Sequence, residues 1–89
     1  MTTRSLKIVN EKGLHARASA RFVEGVEARD ASAEVARDGM RVSGDSIMGL
    51  LMLGASKGTQ IEVTTFGAEA EKLADALETL VARRFGEDY

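Results

Sequence analysis

The residues best suited to chemistry in this 89-residue chain are its single histidine and an arginine two positions further on. His15 and Arg17 stand in the run Gly13-Leu14-His15-Ala16-Arg17. The stretch before them, Asn10 to Gly13, is polar and reads as a loop, and helical spacing begins after them. His15 therefore falls where a loop becomes a helix. The first N–H groups of a helix have no intrahelical partner and the dipole there is positive, which suits a phosphate. A histidine so placed can carry a phosphoryl group whose oxygens meet free backbone donors, here the amides of Ala16 and Arg17. The lone pair of a neutral ring makes it a nucleophile. The Arg17 guanidinium offers a second positive group for the same oxygens. The triplet His-X-Arg is short and common, and a lone histidine at a helix start is also read as a cap or a surface residue. No acid–base partner for His15 is evident beside it in sequence.

A second polar cluster, Ser43-Gly44-Asp45-Ser46, has turn and cap chemistry. Asp45 or Ser46 can cap a helix that begins near Ile47. That helix should end around Leu53, with Gly54 just beyond it. Leu50 and Leu53 share its core side. Ile47, Met48 and Leu51 lie towards another side with no second layer to cover them, and methionine adapts well to docking several partners. The expectation is an exposed docking patch, next to His15 if the two helix starts converge.

The elements that must position these residues follow from periodicity. Leu6 to Val9 is a short strand. A helix runs from about Ala16 to Glu27, burying Ser19, Phe22, Val23 and Val26. Ala33–Arg37 and Met40–Val42 form a hairpin about Asp38-Gly39, the pair preferred by a type I′ turn. Ile61, Val63 and Thr65 alternate in a fourth strand. Gly67 breaks it, and a last helix runs from about Ala68 to Arg84. Its apolar stripe is Ala70, Leu73, Ala74, Leu77, Leu80 and Val81, and Arg83 and Arg84 fall in its last turn. The order is β-α-β-β-α-β-α. Alternation in every strand calls for an antiparallel sheet with one wet face. The fold class is α+β: a two-layer sandwich of a four-stranded antiparallel sheet with three helices on one face. Residues 1–89 read as one domain.

Composition narrows the function. Apolar residues make up 44% of the chain, enough for a core, but there are only three Phe and one Tyr, so that core is aliphatic. The absence of cysteine rules out disulfides and cysteine-zinc sites, and one histidine rules out a His-rich metal site. No metal and no cofactor are expected. A net charge of −2 argues against a broad nucleic-acid surface. The longest apolar run, Ile47 to Ala55, falls far short of the ~20 residues that span a bilayer, and no apolar signal region follows the N-terminus. A cytoplasmic monomer is expected.

Two stretches in register carry a family resemblance. Asn10-Glu11-Lys12-Gly13-Leu14-His15-Ala16-Arg17 resembles the active-site signature of HPr, the family of histidine-containing phosphocarriers of the bacterial phosphotransferase system. Gly44-Asp45-Ser46-Ile47-Met48-Gly49-Leu50-Leu51-Met52-Leu53-Gly54-Ala55 resembles that family's regulatory serine segment, and Lys57-Gly58 with the following strand continues the likeness. The resemblance implies that His15 is phosphorylated on Nδ1 by enzyme I, which draws on phosphoenolpyruvate, and that the group passes to an enzyme IIA. It implies that Arg17 stabilises the phosphoryl group and that Ser46 is a regulatory site for an HPr kinase/phosphorylase. It also implies an open-faced β-sandwich. Such a chain is an intermediate in phosphoryl transfer rather than a stand-alone enzyme. Two further readings stay open: a nitrogen-branch regulatory phosphocarrier not coupled to sugar uptake, and a regulatory binding module controlled through Ser46. One departure is Ala18, where the family often has proline; the helix loses a pre-set φ and gains an N–H.

Overall fold

Alternation decides the sheet. The computed structural model describes residues 1–87. In it Leu6 on β1 (Thr2–Lys7), Ala33 and Val35 on β2 (Ser32–Arg37) and Ile61, Val63 and Thr65 on β4 (Gln60–Phe66) all turn to one face and are buried. β3 (Met40–Ser43) is the return strand of the hairpin. The sheet order is β1-β4-β2-β3, with every pair antiparallel. Leu6 pairs with Ile61, and Val63 sits between Arg4 and Val35, so apolar side chains line up across the central strands. The hairpin turn is as its residues demand: Asp38 and Gly39 both take positive φ, 50° and 84°.

Three helices, α1 (Ala16–Glu27), α2 (Ile47–Leu53) and α3 (Ala70–Ala82), lie against that buried face. Ala18, Ser19, Phe22, Val23 and Val26 point inward from α1, Leu50 and Leu53 from α2, and Leu73, Ala74, Leu77 and Val81 from α3. Buried residues of both layers form one hydrophobic cluster. The element order and the open-faced two-layer architecture are those expected from the sequence.

β1 and α3 differ most from expectation, while β2 and β3 are each one residue longer than expected. β1 runs from Thr2 to Lys7, not from Leu6 to Val9. Its polar first half is strand because each of its residues pairs with β4, a partner that local pattern does not reveal. α3 begins at Ala70 and not at Ala68; Gly67, at φ 108°, turns the chain, and Thr65 Oγ1 donates to Ala70 O at 2.7 Å, fastening strand to helix. α3 also stops at Ala82, so Arg83 and Arg84 lie beyond it, and Leu80 is only half-buried. Past the helix a tight turn spans Arg84–Gly86, in which Arg84 and Phe85 have φ of 58° and 56°. Left-handed backbone at a residue with a Cβ costs roughly 1–2 kcal/mol. The conformation is held because Phe85 is wholly buried in the core cluster, a gain of about 1.5–3 kcal/mol.

Candidate functional site

His15 is the N-cap of α1. Its backbone is extended (φ −77°, ψ −176°), and its carbonyl accepts the Ser19 N–H at 2.8 Å. Its ring serves as the cap, with Nδ1 accepting the Arg17 N–H at 3.3 Å. The cap and the phosphate-facing readings of this histidine therefore describe one geometry: the nitrogen that caps the helix is the one aimed at its free donors. Ala16 and Arg17 are the first two residues of the helix, and both side chains are exposed.

The loop before His15 is braced against the segment after α2. Leu14 N–H donates to Ala55 O at 2.9 Å. Gly13 has φ 64°, and a Cβ there would come within 2.4 Å of Ala55 O, so glycine is required both by conformation and by close approach. Buried Ser19 donates from Oγ to Leu14 O at 3.3 Å and holds the loop from the helix side.

The partner that the sequence did not reveal is Glu87, 72 residues from His15 in the chain. His15 Nε2 hydrogen-bonds Glu87 Oε2, while Glu87 Oε1 accepts from Asn10 Nδ2 at 3.0 Å. Asn10 is fully buried, and the same Nδ2 donates to Gly13 O at 2.9 Å. The Glu87 side chain is 5% exposed and the His15 side chain 28%. Burial pushes the Glu87 carboxyl up, but the hydrogen bonds from Asn10 and His15, with the charges of His15 and Lys12, outweigh it and hold the group below the ordinary carboxylate value. No local sequence signal marks Glu87; only the left-handed turn at Arg84 and Phe85 brings it to the ring. The ring is thus partly exposed and held at both nitrogens.

Ser46 is the N-cap of α2, its Oγ accepting the Gly49 N–H at 3.0 Å. The two helix starts do not meet in the way the sequence allowed. The His15 loop contacts Ala55, past the C-terminal end of α2. Ser46 stands at the other end of a seven-residue helix, about 10 Å of rise away. Ile47, Met48 and Leu51 are exposed (41%, 70% and 37%), and Met52 at 66% extends their patch towards that loop. Met52 escaped the sequence reading, although it lies four residues after Met48, on the same helical side.

Fold and site together define a small α+β domain of the phosphotransferase type: residues 2–83 match the family described as "PTS HPr component phosphorylation site". The chain is 44% identical over 87 residues to the phosphocarrier protein HPr of Neisseria meningitidis, covering 98% of each. The solved structure of an HPr from Thermoanaerobacter tengcongensis superposes with a TM-score of 0.94 at 34% identity, covering all of both chains. A second structure from that organism, described as an HPr dimer, gives a TM-score of 0.77 at 34% identity, covering 98% of this chain and all of that one. The chain belongs to the HPr family of phosphocarriers. Among its described residues no helix is long and apolar enough to cross a membrane.

Proposed function

We propose that the chain accepts a phosphoryl group from phospho-enzyme I on His15 and passes it to an enzyme IIA, working as a cytoplasmic monomer. The observation that carries this reading is the His15 Nδ1 lone pair aimed at the N-terminal amides of α1. On transfer, Nδ1 forms the bond to phosphorus, and the bond from phosphorus to the donor breaks with its electron pair leaving on the donor. The Arg17 N–H that now meets Nδ1 then meets a phosphoryl oxygen, a stronger, charge-assisted bond. Arg17 reaches the same oxygens from solvent, and the amide of Ala16 adds a donor at the helix start. Ile47, Met48 and Leu51 form the surface on which both partners dock. Ser46 is the site at which an HPr kinase/phosphorylase regulates that docking.

The test is labelling from phosphoenolpyruvate through enzyme I. Wild type takes up one acid-labile phosphoryl group and His15→Ala takes up none while keeping its fold, since no other histidine exists to replace it. Acid-labile label on the variant refutes the assignment.

A further inference from the structure

The end of α2 opposite Ser46 is closed by a residue from the sheet. The last carbonyls of a helix have no intrahelical donor. Gly54, at φ 61°, turns the chain there, and its N–H returns to Leu51 O at 3.1 Å. The carbonyl of Leu53 is met by Arg37, the last residue of β2, whose Nη1 donates to it at 2.9 Å. A cation also suits the negative end of a helix. The Arg37 side chain is 30% exposed, and its Nε is buried with no partner among the described residues. A half-buried guanidinium with a donor left over is a costly way to add stability alone.

Two residues beyond that carbonyl, the same segment meets the His15 loop. Ala55 O accepts the Leu14 N–H at 2.9 Å. Gly13 packs so closely that a Cβ on it would fall 2.4 Å from Ala55 O and 2.8 Å from Ser56 Cα. Ala55 and Leu14 are both buried. Contacts this tight leave no slack, so a shift of the segment is passed on to the loop.

We propose that Arg37 is a positioning residue for phosphoryl transfer: by holding the Leu53 carbonyl it fixes Ala55, and through the Leu14 N–H it fixes where His15 meets the start of α1. This rests on the reading of His15 as the carrier. Arg37 acts through the chain and not on the phosphoryl group. Leu50 and Leu53 seat α2 on the core. Loss of the guanidinium therefore leaves the helix and its exposed residues Ile47, Met48 and Leu51 in place, and frees only the exit from its last turn. Transfer requires Nδ1 to line up with the incoming phosphorus, and a misplacement of about 1 Å can cost roughly 100-fold.

The experiment measures phosphorylation of the full chain by enzyme I as the concentration of the chain is varied. Arg37→Met keeps an apolar stem and removes every donor. It should lower kcat on the order of tenfold, a partial misplacement, and leave KM unchanged. Amide exchange followed by NMR should quicken at Leu14 and not at Ile8, whose N–H donates to Thr59 O outside this route. Arg37→Lys returns a donor and should recover part of both effects. A wild-type kcat in Arg37→Met overturns the proposal. So does a raised KM with kcat unchanged, which would make Arg37 a surface contact. Equal quickening at Leu14 and Ile8 overturns it too, since that is a general loss of stability. If Arg37→Met does not fold, Arg37→Gln, shorter and uncharged, takes its place, and a wild-type kcat in that chain overturns the proposal. Should enzyme I fail to label wild type on His15, the carrier reading falls on its own. Exchange at Leu14 against Ile8 still decides whether Arg37 holds the loop.

Discussion

His15 is held at two nitrogens by groups of opposite electrostatic character, a backbone donor at one and a carboxylate acceptor at the other. The consequence at the scale of one residue is a pH dependence centred on Glu87. Burial favours its neutral form, yet the hydrogen bonds from Asn10 and His15 and the charges of His15 and Lys12 prevail, so the folded pKa lies below the ordinary value of 4.5. The unfolded chain then takes up this proton at higher pH than the folded chain. The stability the carboxylate contributes is therefore present above the unfolded value and is lost as pH falls through the folded one. Melting temperatures of wild type and Glu87→Gln, compared from about pH 6 to about pH 3, should converge on the acid side. A gap that widens with acidification would mean that the carboxylate is not held ionised by these partners.

At the scale of the element, α2 places buried and exposed apolar residues on two sides of one short helix. Leu50 and Leu53 are buried, and Met48 is 70% exposed. Met48→Asp should barely alter melting and should weaken binding to enzyme I by tenfold or more, because the carboxylate must be desolvated only in the complex. A drop of several degrees in the free protein would show that Met48 supports the fold. Phosphorylation of Ser46 should act through the same surface. A phosphoserine brings about −1.5 to −2 charges, which the free N–H groups of the helix start accommodate. A partner that covers Ile47 and Met48 must desolvate that charge. Enzyme I affinity should fall while thermal stability holds, and Ser46→Asp should reproduce part of the effect. Unchanged affinity, or melting of α2, would refute this account. This helix was legible in the sequence because its signals are local: a serine cap, an apolar side with helical spacing and a closing glycine. The first half of β1 was not, since Thr2, Thr3 and Ser5 become strand only through β4.

At the scale of the whole molecule, the left-handed turn after α3 couples core to site. Phe85 is fully buried in the common cluster, and Glu87 follows it to the ring. Phe85→Ala should cost about 3–5 kcal/mol, lowering the melting temperature by roughly 4–8 °C per kcal/mol in a domain of this size. It should also loosen the Glu87–His15 contact, seen as faster amide exchange at Glu87 in the surviving folded state. A loss of stability below ~1 kcal/mol would mean that Phe85 does not anchor the turn. The sequence pointed to His15 and Arg17 but not to Glu87. Helix caps and anion sites are written in neighbouring residues, whereas a contact spanning 72 residues depends on where packing turns the chain. The expected extension of α3 through Arg84 hid that turn: nothing in Arg83-Arg84-Phe85 opposes a helix locally, and burial of Phe85 overrides propensity there.

The sheet order also governs the sequence of events when the chain first folds. β4 lies between β1 and β2, and Thr2 pairs with Thr65 across 63 residues. Of the strand pairings only the β2–β3 hairpin is local, so it alone can close at small entropic cost. During synthesis β1 emerges first but has no partner until β4 follows, and β2 lacks its second neighbour for just as long. The amino-terminal half can therefore close only the β2–β3 hairpin while it waits on the ribosome; β4 is the last strand to arrive and joins both sides together. Such non-local closure slows folding relative to a helical bundle of equal length. It leaves the edges of β1 and β2 open to wrong partners until β4 is in place.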